Sequence, residues 1–426
     1  MNTFRFPART EWEKLTTRAV DNQQDVMEKV RPILNAVKTH KDKAVRDLTT
    51  KFDGISLSSF QVSEEEIRKG CLDVDSKLKG AINSAIINIR KFHESQKQPV
   101  RKIETSPGVI CWQRSTPIEK VGLYIPGGTA PLFSTVLMLA IPAAIAGCKE
   151  IVLCTPPGKD GKIHPAIILA AHLTGVTRIF KVGGAQAIAA MAYGTETIPK
   201  VDKIFGPGNS YVTAAKQLVT LDGIAIDLPA GPSEVEVMAD ESANPDFVAS
   251  DLLSQAEHGP DSQAILVTNS AELAEEVKEK LDEQLALLPR TATIKKALGN
   301  SRIILLKTIH DMVSFTNLYA PEHLILAVRN PEDTAKEIVN AGSVFLGHYT
   351  PESAGDYASG TNHTLPTYGY AKVYSGVNLD SFCKKITFQE ISKKGLKRLG
   401  PVIETMAEAE QLEAHKMAVM LRLKNL

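Results

Sequence analysis

The chain has 426 residues, is 43% hydrophobic, and balances 49 Lys and Arg against 49 Asp and Glu. That length exceeds one ordinary hydrophobic core, so two globular lobes with appendages are expected. A zero formal net charge leaves no basic field for a phosphate backbone, which argues against nucleic-acid binding. The five cysteines, Cys71, Cys111, Cys148, Cys154 and Cys383, are odd in number and show no CxxC spacing. The stretch MNTFRFPARTEWEK has no apolar signal core, so a protein of the reducing cytoplasm is expected.

In chain order, residues 1–20 read as a short polar arm that must pack on something else. Residues 21–98 carry helical periodicity, with Val26, Val30, Leu34 and Val37 on one face and a second run through Ile82, Ile86, Ile89 and Phe92. GVICWQRSTPIEKVGLYIP then switches to strand periodicity. Residues 121–148 contain no charged side chain, which invites comparison with a membrane span. Pro126, Pro131 and Pro142 with Gly127 and Gly128 divide them into a short strand, a loop and a buried helix, so no membrane segment is expected.

From residue 124 to 227, EIVLCTPP, RIFKVGG and KIFGPGN each read as an apolar strand ending in a Gly/Pro loop and followed by a helical run. That alternation predicts a parallel sheet with ligands at its carboxyl edge. At Pro229-Ala230-Gly231-Pro232 a rigid turn presents Ser233 and Glu234 before a second strand. Asn244 and Pro245 read as the start of a helix that Gly259-Pro260 ends. QAILVT, RIILL, LILAV and SVFLG continue the strand and helix pattern. The fold class predicted is α/β, two incomplete Rossmann-like lobes. Residues 124–234, one lobe, are inserted between 21–123 and 235–376, the other. Residues 377–426 form a helical tail, with Lys384, Lys385, Lys393, Lys394, Lys397 and Arg398 as a solvated face and PVIETMAEAEQLEAHKMAVML as one helix.

Several residues carry candidate chemistry. Gln255 and His258 stand three apart in the last turn of their helix, a spacing that suits zinc but that, taken alone, more often marks a hydrogen-bonded structural histidine. Gly206-Pro207-Gly208-Asn209-Ser210-Tyr211 narrowly misses a GxGxxG fingerprint. Its N–H groups open a helix and could meet a phosphate or ribose, or form a plain strand-to-helix turn. Glu322 and His323 adjoin on an extended segment, which points them to opposite sides; an imidazole suits an alcohol proton and a carboxylate suits water. A surface Glu beside a capping His fits the same pattern. Asp356 lies in SAGDYASGTNHTLPT, read as an irregular loop, as a hard oxygen ligand or a solvated Asp. Glu410 and His415, five apart in one helix, lie well apart around it.

Together IDLPAGPSEVEV, LLSQAEHGPDSQA, VGLYIPGG, GGAQAIAA, KIFGPGN, YAPEHL and GDYASGTNHTLPT resemble the histidinol dehydrogenase family, almost end to end. The resemblance implies an aldehyde-dehydrogenase-like fold and oxidation of L-histidinol through L-histidinal to L-histidine with two NAD, the last two steps of histidine biosynthesis. It implies one Zn²⁺ per subunit on Gln255, His258, Asp356 and His415, with Glu322 and His323 as proton acceptors. Substrate contacts fall on Ser233, Gln255, His258, His323, Asp356, Glu410 and His415, and NAD contacts on Tyr124, Gln186 and Asn209. It further implies a homodimer with shared sites through a crossing tail. His348 and His363 receive no role. Two other readings are an aldehyde-dehydrogenase-like route through a Cys148 or Cys154 nucleophile and a non-catalytic zinc-dependent binder of a histidine-like ligand. Both cysteines lie in apolar runs with no His nearby in sequence, the setting of inert thiols.

Overall fold

The structure, a computed structural model, describes residues 1–18, 23–127, 130–229 and 231–426. Ala230 of the expected turn, Gly128 of the loop before the buried helix, and the first residues of the 21–98 helical segment lie outside the described residues.

Residues 1–95 and 118–382 form one compact unit built on two parallel sheets. The larger has the spatial order Asn2–Arg5, Arg302–Leu305, Gln263–Thr268, Glu234–Ala239, His323–Ala327, Ser343–Leu346. Its central strands are buried on both faces, which is why they read as near-continuous apolar runs. Val235 and Val237 pack against Leu252, Ala256 and Val277 on one side, while Met238 meets Phe315 and Leu326 on the other. The chain's first residues are more than an arm. Asn2–Arg5 pairs in parallel with Arg302–Leu305, and Trp12 buries itself edge-on to Phe315, 5.7 Å between ring centres.

The smaller sheet runs Arg178–Lys181, Glu150–Thr155, Lys120–Tyr124, Lys203–Phe205, Ala225–Ile226, also parallel throughout. The helical segment Gln23–Asp53, kinked at Lys41 where φ is 50°, and the helices Glu64–Asp73 and Ser76–Glu94, grouped with the other lobe from sequence, pack on this one. Val30, Leu34 and Val37 meet Ala187, Met191 and Val219, and Ile82 and Ile89 join Val136 and Leu139. Their apolar stripes match the outward faces of the lobe's own helices, Gly184–Tyr193, Ser210–Thr220 and Phe133–Ala146. The last of these is the uncharged helix, buried along most of its length and ended by Gly147 in left-handed conformation. Among the described residues no helix is long and apolar enough to cross a membrane.

A second unit comprises residues 96–117 and 383–426. Its antiparallel sheet orders Cys383–Ile391, Val109–Pro117, Lys102–Ser106, with Trp112 stacked on Phe388 at 5.3 Å. The tail expected from residue 377 thus begins at Cys383 and opens with a nine-residue strand, fully paired to a segment far away in sequence. Lys384, Lys385, Lys393, Lys394, Lys397 and Arg398 are exposed, as expected of a solvated face. The single terminal helix expected is instead two, Lys393–Ala409 and Glu413–Lys424, separated at Gln411, whose φ of 59° lies in the left-handed region.

Candidate active site

The helix Ile309–Tyr319 ends on Ala320, a left-handed residue at φ 55°, and Pro321 then carries the chain to Glu322 and His323. His323 opens its strand in register with Val235 and Ser343. One neighbour on the next strand supports both side chains. Glu234 donates its backbone N–H to Glu322 Oε2 at 2.8 Å, and its carbonyl oxygen lies 3.1 Å from His323 Nδ1. Nδ1 therefore carries a hydrogen, and in the neutral ring Nε2, buried without a hydrogen-bond partner, is the free nitrogen. The two side chains do not point to opposite sides as a regular strand predicts. Glu322 precedes the first paired residue and escapes the pleat, so its Oε2 lies 3.6 Å from His323 Nδ1.

Asn244 caps the helix Pro245–Ala256 by accepting the N–H of Asp246. Gln255 sits in its last turn, buried, with neither end of its amide hydrogen-bonded. His258 lies just past the helix, its N–H on the carbonyl of Gln255 at 3.2 Å, and its side chain is 42% exposed. Asp356 is in a short helix, Glu352–Tyr357, where a loop was expected. One turn earlier on the same face stands Glu352, which no sequence motif singled out. Asp356 lies 4.0 Å from His258 Nε2 and 3.6 Å from His323 Nε2, while Glu352 lies 3.6 Å from His323 Nδ1. His363 also belongs here, with Nδ1 2.9 Å from the carbonyl of Asp356 and Nε2 3.2 Å from Thr135 Oγ1. His348 meets Ser242 instead.

Electrostatics knit the group together. Burial opposes charge on His323, but Glu352, Glu322 and Asp356 outweigh it and hold its imidazole well above the ordinary value. Burial pushes Glu322 up to about 8 against the pull of His323, and pushes Glu352 well up also. Burial works the same way on Asp356, but His323 prevails and lowers it. A metal ion suits this arrangement. Donor atoms of His258, Glu352 and Asp356 lie within 4.8 Å of one another, and Gln255 adds an unsatisfied carbonyl oxygen. A dication there would draw the carboxylates from His323 and favour its neutral form.

These residues line a cavity of about 580 Å³ that also includes Ser233. It sits at the amino ends of the Glu234–Ala239 and His323–Ala327 strands, the opposite edge from the one that parallel sheets ordinarily offer to ligands. A second cavity, about 1420 Å³, lies at the carboxyl edge of the five-stranded sheet, as its alternation predicts. Tyr124 ends a central strand there and accepts the N–H of Gly184 at 3.1 Å, while burial pushes its phenol up to about 12. Gln186 keeps a buried, unpartnered Nε2, and Asp53 and Thr155 each add an orphan oxygen. Asn209 caps Ser210–Thr220 with its side-chain oxygen, which leaves its amide nitrogen for a ligand. Gly206, at φ 126°, lies so close to the carbonyl of Tyr124 that a Cβ would collide with it. Unsatisfied donors and acceptors around a long cleft suit a dinucleotide. Tyr124, Pro126, Gly127 and Asn209 line both cavities, so the two meet.

The model of the family described as histidinol dehydrogenase matches residues 16–423. The chain belongs to the histidinol dehydrogenase family. It is 60% identical over 426 residues to the histidinol dehydrogenase of Bacteroides thetaiotaomicron, covering 100% of both chains. Against that of Escherichia coli K12 it is 54% identical over 410 residues, 96% of this chain and 94% of the other. The crystal structure of histidinol dehydrogenase from Elizabethkingia anophelis is similar over 100% of this chain and 98% of that one, with 56% identity and a TM-score of 0.98.

Within one chain the first unit of this family member brings together Ser233, Gln255, His258, Glu322, His323 and Asp356, with Tyr124 and Asn209 at the cavity junction. Gln186 lines the larger cavity alone. Glu410 and His415 belong to the second unit. Glu410 caps the helix Lys393–Ala409 and His415, exposed, lies in the next, so they do not share the single helix expected. Cys154 is wholly buried in mid-strand, where burial drives its thiol far up, and Cys148 follows a helix end; neither lines either cavity. That placement weighs against a cysteine nucleophile.

Proposed function

We propose that the chain is an NAD-dependent, zinc-containing histidinol dehydrogenase that oxidises L-histidinol to L-histidinal and then to L-histidine, using two NAD. The observation that carries this reading is the junction of the two cavities, with an unpartnered imidazole nitrogen and an adjacent carboxyl on one side and a dinucleotide-sized cleft on the other. Family membership supplies the substrate.

In the first step His323 Nε2 takes the hydroxyl proton of the alcohol, its ring oriented through Nδ1 by the carbonyl of Glu234. In the second, Glu322 with His323 takes a proton from water as it adds to the aldehyde. Ser233, on the turn before the Glu234 strand, contacts the substrate. Gln255, His258 and Asp356 together with His415 would hold Zn²⁺, which would supply a Lewis acid to orient the substrate's imidazole and amine. Tyr124, Gln186 and Asn209 would hold NAD, which would supply the hydride acceptor for each of the two oxidations.

The assembly is a homodimer in which Glu410 and His415 come from the partner subunit. Val402, Met406, Met417, Met420 and Leu421, exposed on the two terminal helices, support a docking role for that tail. The described cysteines form no disulfide, in keeping with a cytoplasmic enzyme. The test is NADH formation when histidinol is added to zinc-loaded protein, and its loss on stripping the metal. Turnover at the normal rate by protein proven metal-free would overturn the metal assignment.

A further inference from the structure

Glu234 has a side chain whose environment the reaction does not explain. It is 2% exposed, and Arg18 grips it with both arms of its guanidinium, Nε to Oε1 at 3.0 Å and Nη2 to Oε2 at 2.9 Å. The same Nη2 donates to the carbonyl of Tyr319 at 2.7 Å, and the guanidinium carbon lies 3.8 Å from the centre of the Tyr319 ring. Arg18 thus ties Glu234 to the left-handed turn at Ala320 that delivers Glu322. On the other side, Tyr368, itself at φ 57°, donates its N–H to Glu234 Oε1 at 2.7 Å. Its ring lies so close to Gly231 that no Cβ would fit there.

An ion pair this deep gives up the hydration of both charges, and such pairs commonly contribute little net stability against a well-packed apolar substitute. What a forked, planar contact provides is geometry. Here the backbone of the gripped residue is the one that holds Glu322 by its N–H and His323 by its carbonyl.

We propose that Arg18 and Glu234 form a positioning clamp that sets the orientation of the Glu322 and His323 side chains relative to each other. The clamp touches no reacting atom. It acts through the Glu234 backbone and through the turn before Glu322. This rests on the oxidation proposed above, because a clamp on a proton-accepting pair matters only if the pair accepts protons.

The experiment compares wild type, Glu234→Gln and Arg18→Lys as zinc-loaded full-length protein, at a temperature where each is shown folded by its melting curve. Both substitutions keep the size of the side chain, and each removes the charged fork. The expected result is a kcat for histidinol reduced about tenfold to a hundredfold, the range for loss of a group that orients a functional side chain. KM for histidinol and NAD and the zinc content should change less than about threefold, because neither ligand meets the pair. A purely structural ion pair would lower the melting temperature and leave kcat of the folded protein within about twofold, and that result overturns the clamp, as does a loss confined to KM. If Glu234→Gln does not fold, Arg18→Lys carries the comparison, since its ammonium keeps the charge without the fork. Wild type that makes no NADH from histidinol removes the functional reading; wild type that turns over alongside unimpaired variants removes the clamp alone.

Discussion

His323 Nδ1 lies 3.1 Å from the carbonyl oxygen of Glu234, and this contact decides which imidazole nitrogen takes a proton. With the hydrogen held on Nδ1, Nε2 faces Asp356 at 3.6 Å in the smaller cavity. His323→Gln should therefore lower kcat for histidinol about a hundredfold to ten-thousandfold, the usual contribution of a positioned base. NAD affinity, measured by quenching of protein fluorescence, should hardly change. A kcat near wild type would assign the base elsewhere.

Glu352 concerns the metal. Its carboxyl lies within 4.8 Å of the donor atoms of His258 and Asp356, and its Oε2 has no hydrogen-bond partner. Removing that ionisable carboxyl with Glu352→Gln should weaken Zn²⁺ binding about tenfold or more, as loss of neighbouring carboxylates does at metal sites. Competition with a chelator of known affinity reads this directly. Unchanged affinity would place Glu352 outside the metal's influence.

Glu236 offers a pH dependence away from the site. Burial drives its carboxyl up to about 8, over the opposing Thr316 hydrogen bond and the charge of Arg18. In the unfolded chain a Glu titrates near 4.3, so between about 4.3 and about 8 the folded state binds the extra proton. The stability this group contributes is thus full below about pH 4.3 and is lost as pH rises through about 8. Glu236→Gln cannot ionise. Its melting temperature should fall less than that of wild type between about pH 6 and about pH 8, and parallel profiles would refute the assignment.

The proposed shared site predicts complementation. Co-refolding His323→Asn protein with His415→Asn protein makes dimers that are about half mixed, each with one doubly defective site and one intact site. Activity should then return to about a quarter of wild type. Mixed dimers confirmed by mass but inactive would mean that each site is built within one chain.

The sequence made some of these features plain and hid others for physical reasons. The two parallel sheets were legible because buried central strands such as Gln263–Thr268 and Glu150–Thr155 are continuous apolar runs between Gly and Pro loops. The strand Cys383–Ile391 was not, since its mixed polar pattern becomes a strand only through pairing with Val109–Pro117, more than two hundred residues away. Gln255, His258 and Asp356 could be joined into one site only through motif resemblance, because the helix Pro245–Ala256 and the helix Glu352–Tyr357 meet through tertiary packing alone. The Gly and Ser of SAGDYASG mask the helix Glu352–Tyr357, and with it the four-residue spacing that places the Glu352 and Asp356 carboxyls on one face.

The yield of NADH per histidinol tests the proposed reaction most directly. Zinc-loaded wild-type protein given limiting histidinol and excess NAD should form two NADH for each histidinol consumed, with histidine as the end product. A yield of one NADH with histidinal left in solution would contradict the role given to Glu322, and no NADH at all would contradict the enzyme.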